Sequence, residues 1–164
     1  MARVRETQPL LPSVFDRLLD DDPFNSKEVP KNRNQVLREL KASVRRDLES
    51  LLNTPQAWLT WPSSLDELDN SVLAYGIPDF TGVNMSAKSE RKRLIEAVER
   101  CIQRFEPRFR SVRVALNNRS EDLERTLRFR IEGTLYAEPA PEPVVFDSVV
   151  EPLSAEVAVS LGYA

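Results

Sequence analysis

The spacing of the apolar residues changes once along this chain, close to Pro107. Before that point they recur every three or four positions, as on one face of a helix, and after it they alternate with polar residues, as in a half-buried strand. Because proline restricts the residue before it and has no N–H to donate, Pro107 ends the preceding helix. Helices first and strands second predict an α+β domain with helices packed on one side of a small, mainly antiparallel sheet.

Two long helices are predicted, one from about residue 34 to 52 and one from about residue 86 to 105. A short amphipathic helix precedes them at residues 10–19, and Ser64–Glu67 matches a capping box that opens another. Cys101 lies among the apolar residues of the second long helix. We therefore expect a buried, small side chain there and not a reactive thiol.

Strands are predicted after Pro107. Residues 112–116 and 127–131 alternate between apolar and polar side chains, which indicates an antiparallel hairpin with one buried face. Gly133 suggests a bulge, residues 144–150 offer a further strand, and residues 156–161 offer a weaker one. With 164 residues in total, one core is expected. The predicted organisation is an N-terminal arm carrying the short helix (1–33), a single α+β domain (34–150), and a C-terminal tail or edge strand (151–164).

The chain contains no histidine and one cysteine. Ser-His and Cys-His nucleophile pairs and the usual zinc sites are therefore excluded. No phosphate-binding glycine motif occurs among the four glycines. The sequence predicts a protein that is not an enzyme and that binds no cofactor or metal.

Charge is distributed unevenly. Residues 88–113 hold nine basic and four acidic residues, whereas residues 137–164 hold five acidic and no basic ones. The basic residues lie on a helix that also carries glutamates, without interleaved aromatic side chains, so a solvated face is favoured over a patch for a protein partner or nucleic acid. No apolar run reaches the ~18 residues that span a bilayer, and residues 1–7 carry charges. We expect a cytoplasmic protein without membrane insertion.

Four motifs carry a resemblance to a known family. They are Leu11-Pro-Ser-Val-Phe-Asp-Arg-Leu18, Ser71-Val-Leu-Ala-Tyr-Gly-Ile-Pro-Asp-Phe80, Arg104-Phe-Glu-Pro-Arg-Phe109 and Leu127-Arg-Phe-Arg-Ile-Glu-Gly133. In this order they resemble the TssE family, the baseplate wedge subunits of bacterial type VI secretion systems. The similarity extends from about residue 10 to 147.

The resemblance implies a structural subunit beneath the inner membrane. Such a subunit joins a wedge with TssF, TssG and TssK and helps to start the TssB/TssC sheath. The N-terminal helix is too short to be stable alone, so it docks either on its own domain or on a partner. Our hypothesis is that it docks on TssF and TssG through Leu11, Val14, Phe15 and Leu18. The opposite charges of Glu106 and Arg108, held at the corner by Pro107, could be locked within the domain or presented to a partner. The resemblance favours a corner that meets the sheath, so Arg108→Ala is expected to leave the fold intact and prevent sheath assembly. Part of residues 111–116 or 126–137 is expected at a sheet edge, where a partner strand would pair.

Two alternatives follow from relatives of that family. One is a peptidoglycan-cleaving, lysozyme-like enzyme, which needs two carboxylates across one sugar. Glu106 is the acid that we would nominate, and an arginine two residues away suits a charge pair better than a general acid. The other is an anti-adaptor of regulated proteolysis, which the N-terminal element fits less well than secretion.

Overall fold

Two long α-helices precede four β-strands in the computed structural model, which describes residues 16, 18, 24, 32–57, 60–79, 87–117, 127–137, 140–150 and 156–162. Helix α1 spans Arg33–Leu52 and helix α2 spans Lys88–Phe105, with short 3-10 helices at Ser63–Asn70 and Val72–Ala74 between them. The strands are β1 (Phe109–Leu116), β2 (Leu127–Leu135), β3 (Glu142–Val150) and β4 (Val157–Leu161). The predicted α+β fold class is confirmed.

Local capping decides where α1 begins. The Asn32 side chain accepts from the Gln35 N–H, and the Gln35 side chain accepts from the Asn32 N–H, which forms a capping box. The capping box predicted at Ser64 is wrong, because the 3-10 helix begins at Ser63 after Pro62 and has no side-chain cap. A matching sequence pattern does not form this box unless the backbone enters a true α-helical turn.

The four strands form one antiparallel sheet in the order β1-β2-β3-β4, so β1 and β4 are its edges. Helix α2 packs against β1 and helix α1 packs against β4. One face of the sheet supplies Phe129, Ile131 and Phe146 to a core shared with both helices, whereas Arg113, Glu132 and other residues of the opposite face are exposed. The helices therefore cover a single face of the sheet.

Gly133 leaves space for an aromatic ring. A Cβ at this position would lie 2.6 Å from Cε1 of Phe109, and the Phe109 ring packs edge-on against Phe146, with centroids 6.4 Å apart. The irregularity in the ladder lies on β1, between Phe109 and Ser111. The predicted bulge at Gly133 is thus wrong: the glycine permits a close approach, and the opposite strand absorbs the extra residue.

Cys101 is buried and donates to the carbonyl oxygen of Gly76 at 3.1 Å. Burial raises the pKa of its thiol to about 11, which leaves the side chain neutral and unreactive at ordinary pH. Gly76 has a φ of 104°, and a Cβ there would lie 2.2 Å from the Thr54 carbonyl oxygen. Only glycine permits this approach, which holds the segment after the 3-10 helices against the end of α1.

Candidate interaction site at the corner between α2 and β1

The chain turns sharply between α2 and β1. The Glu106 N–H donates to Ile102 at 2.9 Å and closes the last turn of α2, and the Phe109 N–H donates back to the Glu106 carbonyl at 3.2 Å. The Tyr136 N–H donates to the Arg108 carbonyl at 2.9 Å. The corner is therefore bonded to the helix before it and to the chain that leaves β2.

Glu106 and Arg108 face each other inside this corner. Glu106 is only 4% exposed. Its Oε1 accepts from Nε of Arg108 at 2.7 Å, and its Oε2 accepts from Nη2. Two parallel hydrogen bonds of this kind are the strong, directional form of an arginine–carboxylate pair. The two charges predicted at the corner are thus paired with each other within the domain.

The same guanidinium reaches α1. Its Nη1 donates to Ser43 Oγ at 2.9 Å, and its Nη2 donates to a carboxylate oxygen of Asp47. Ser43 in turn donates to Asp16 at 2.7 Å, and Arg46 donates to the same Asp16 oxygen at 3.0 Å. A single polar network therefore connects the N-terminal motif, α1 and the corner.

The network holds three carboxylates and two arginines. Burial opposes the positive charge of Arg108, but hydrogen bonds and charge from Glu106 and then Asp47 outweigh it, so the pKa of Arg108 is raised above its usual value. Arg108 is mostly buried, with 20% of its side chain exposed. These interactions use most of the hydrogen-bond donors of the Arg108 guanidinium. The main role of Arg108 is therefore to stabilise the domain.

A cavity of about 340 Å³ opens beside the corner. Its lining residues are Asp47, Leu51, Tyr75, Phe105, Glu106, Pro107 and Arg108. Tyr75 meets Phe105 edge-on, with centroids 5.3 Å apart. Of the three residues predicted at the corner, Pro107 is the one exposed to solvent. It therefore forms the most accessible part of this site.

Side chains of α1 and of Asn53, the residue that caps its C-terminus, bond the free edge of β4. Asn53 accepts from the Val157 N–H at 2.8 Å and donates to the Val157 carbonyl at 2.9 Å. Glu49 accepts from the Val159 N–H at 3.3 Å, and Arg45 donates to the Val159 carbonyl at 3.2 Å. These contacts replace the hydrogen bonds that a fifth strand would make at Val157 and Val159, so this part of the edge is closed.

The other edge, β1, is less covered. Because the Asn117 N–H bonds the Arg128 carbonyl, antiparallel pairing directs the backbone groups of Val112, Val114 and Leu116 away from β2. The Val114 N–H donates to Glu99 at 2.8 Å. Within the described ranges, no partner bonds the outward N–H of Val112 or Leu116. Strand β2, the other predicted edge, is interior and paired on both sides.

Only part of the predicted N-terminal docking helix belongs to the described residues. Leu11, Val14 and Phe15 lie outside the described residues. Leu18 is helical and 75% exposed, and Asp16 is helical. Sequence reasoning did not identify Asp16, Ser43 or Asp47 as companions of Arg108, because no local pattern links polar residues so far apart.

No group of three or more metal-binding side chains occurs in the part of the chain that the structure describes. In those same ranges, no helix is long and apolar enough to cross a bilayer.

Comparison with known proteins gave one family and one structure. The model of a family described as baseplate wedge protein gp25 matches residues 38–140, a range that includes most of α1, all of α2, the corner, β1 and β2. Among curated proteins, none matches significantly. A chain of the solved "baseplate complex from the type VI secretion system" superimposes with a TM-score of 0.47 at 16% identity, covering 70% of this chain and 96% of that one.

Proposed function

Because this chain belongs to the baseplate wedge protein gp25 family, we propose that it is a non-catalytic structural subunit of a type VI secretion baseplate. It joins a wedge with TssF, TssG and TssK and helps to start the contractile TssB/TssC sheath in the cytoplasm, beneath the inner membrane. Support for the secretion system comes from the four motifs that resemble TssE. The observation that carries the mechanism is the difference between the two sheet edges.

The β1 edge is the surface that receives a sheath strand. An incoming strand gains main-chain hydrogen bonds only where N–H and C=O groups are unpaired. Val112 and Leu116 direct such groups outward, whereas Asn53, Glu49 and Arg45 already occupy those of Val157 and Val159 in β4. Pairing is therefore directed to β1, and the sheath subunit adds to one side of the sheet.

The corner fixes the start of that strand. The Glu106–Arg108 pair and the bonds of Arg108 to α1 determine where β1 leaves the helix layer. Pro107 and the exposed rim of Arg108 lie next to the same edge in sequence, and they contact the sheath chain there. In this mechanism Glu106 contributes by holding Arg108, and Pro107 contributes by direct contact.

Replacing Val112 with proline tests this mechanism. The substitution removes one outward N–H and leaves the β1–β2 ladder bonds unchanged, because the N–H of Val112 does not face β2. In cells that express the complete secretion gene cluster with fluorescent TssB, we expect Val112→Pro to abolish sheath assembly. The readout is the number of sheath structures per cell.

Val112→Ala is the matched control, because it shortens the same half-buried side chain and keeps the N–H. We expect it to retain sheath assembly. Sheath formation by a folded Val112→Pro protein at the level of Val112→Ala would remove the β1 edge from the mechanism.

The N-terminal helix is proposed to dock on TssF and TssG through Leu11, Val14, Phe15 and Leu18. The 75% exposure of Leu18 leaves this apolar side chain available to a partner. A protein lacking residues 1–20 is expected to lose co-purification with co-expressed TssF and TssG. Undiminished yield of both partners would contradict the docking assignment.

The geometry of Glu106 favours a structural subunit over a lysozyme-like enzyme. Both of its carboxylate oxygens accept hydrogen bonds from Arg108, whereas a glycosidase acid has to reach the leaving oxygen of a sugar. The residue nominated for acid chemistry is thus engaged within the domain.

A further inference from the structure

The motif at residues 71–80 has one half that faces the core and one half that does not. Ala74 and Gly76 are buried, and Tyr75 and Ile77 pack against the core. Val72, by contrast, is 82% exposed and Leu73 is 40% exposed. The fold accounts for the buried residues of this motif and gives no role to the side chains of Val72 and Leu73.

Hydrogen bonds hold the segment that presents these side chains. The Trp61 indole donates to Asp69 at 3.0 Å, and the Ser71 hydroxyl donates to the Leu68 carbonyl at 2.7 Å. The Leu73 N–H donates to the Ser71 hydroxyl at 3.3 Å. Below them, Ile77 and Thr54 form a backbone bond of 3.0 Å. The apolar side chains therefore project from a backbone that is fixed at both ends.

The stretch of chain that contains Val72 and Leu73 is acidic. No lysine or arginine occurs between Arg46 and Lys88, a stretch that contains six acidic residues. Asp66 and Glu67 are exposed on the 3-10 helix just before Val72, next to Leu65, which is 50% exposed. The two 3-10 helices contact each other, so these side chains belong to one region of the surface, and exposed apolar residues with a polar rim mark protein-interaction sites.

We propose that this acidic apolar ridge, formed by Leu65, Asp66, Glu67, Val72 and Leu73, binds a basic amphipathic helix of a partner protein. The partner's apolar stripe covers Val72 and Leu73, and its flanking lysines or arginines face Asp66 and Glu67. These residues lie on the two 3-10 helices and not at the corner or on β1, and the proposal does not depend on the secretion function.

Charge alone would also suit a second copy, since α2 is rich in basic residues. However, the apolar side chains of α2, including Leu94, Val98 and Ile102, are buried in its own core. Among the described elements, α2 has no outward apolar stripe to offer with its charges. A helix from a different protein satisfies both requirements.

The test uses a synthetic 14-residue amphipathic peptide of leucine and lysine that carries a fluorophore, with the full chain titrated against it. Fluorescence anisotropy should show saturable binding that weakens about tenfold in Val72→Ser, a change of the size expected for one apolar contact. Asp66→Asn combined with Glu67→Gln should weaken binding and reduce its dependence on salt. Circular dichroism verifies that each variant is folded.

Two matched controls make the result specific. Leu161→Ser alters another exposed apolar residue, 49% exposed at the end of β4, and should leave the affinity unchanged. A peptide with glutamate in place of lysine should bind at least about tenfold more weakly. The proposal is overturned by equal binding of both peptides, by no effect of Val72→Ser, or by a dimer in sedimentation that Val72→Ser dissociates.

Discussion

Arg108→Ala is expected to lower the free energy of unfolding by about 3–5 kcal/mol, the cost of leaving one partner of a buried ion pair alone. The alanine removes both bonds to Glu106, which is 4% exposed, and the bonds to Ser43 and Asp47 on α1. Water cannot fully replace these donors at a buried carboxylate. Urea denaturation of the purified protein measures the change.

The double substitution Glu106→Leu and Arg108→Met tests whether the stability lost in Arg108→Ala comes from the unpaired carboxylate of Glu106. Removing both charges together is expected to cost much less than Arg108→Ala, because no unpaired carboxylate remains at residue 106. Arg113→Ala, on the exposed face of the sheet, is the matched control and should change stability by less than about 0.5 kcal/mol. Equal losses for Arg108→Ala and Arg113→Ala would contradict the structural role of the corner.

The packing of the corner changes how its function has to be tested. From the sequence, we expected Arg108→Ala to leave the fold intact and to block the sheath. With Arg108 bonded to both α1 and Glu106, loss of the sheath in that variant would report instability as well as recognition. Val112→Pro with its alanine control avoids this difficulty, because it changes a backbone donor that the domain does not use.

Asn53→Ala is expected to lower the free energy of unfolding by about 3 kcal/mol, since two backbone groups of Val157 lose their partner and each unsatisfied buried group costs ~1–3 kcal/mol. Val157 is 2% exposed, so solvent reaches these groups poorly. The variant also opens the β4 edge, and open edges pair with other chains. Denaturation and light scattering during size-exclusion chromatography measure the two effects.

Asn53→Asp serves as the intermediate case. It keeps the oxygen that accepts from the Val157 N–H and loses the nitrogen that donates to the Val157 carbonyl. We expect a smaller loss than for alanine. Asn70→Ala, at an exposed asparagine that ends the first 3-10 helix, should be neutral. A monomeric Asn53→Ala protein of unchanged stability would show that the helix side chains do not close this edge.

The sequence by itself determined the elements and their order. The change of period at Pro107 separated helices from strands, and the structure confirms an antiparallel sheet with one covered face. It also placed Cys101 in the core and identified the corner as the point where a helix becomes a strand. These features depend on residues close together in the chain, where periodicity and proline geometry act directly.

Only the tertiary structure decided which residues of those elements contact one another. Arg108 finds Asp47 and Ser43 at 61 and 65 positions away in the chain, and Asn53 finds Val157 at 104 positions away. Which edge of the sheet is closed, and whether Glu106 faces solvent or Arg108, follow from those long-range pairs. Local sequence patterns do not predict these pairs, because a side chain's partner across the core is set by how the helices and the sheet pack.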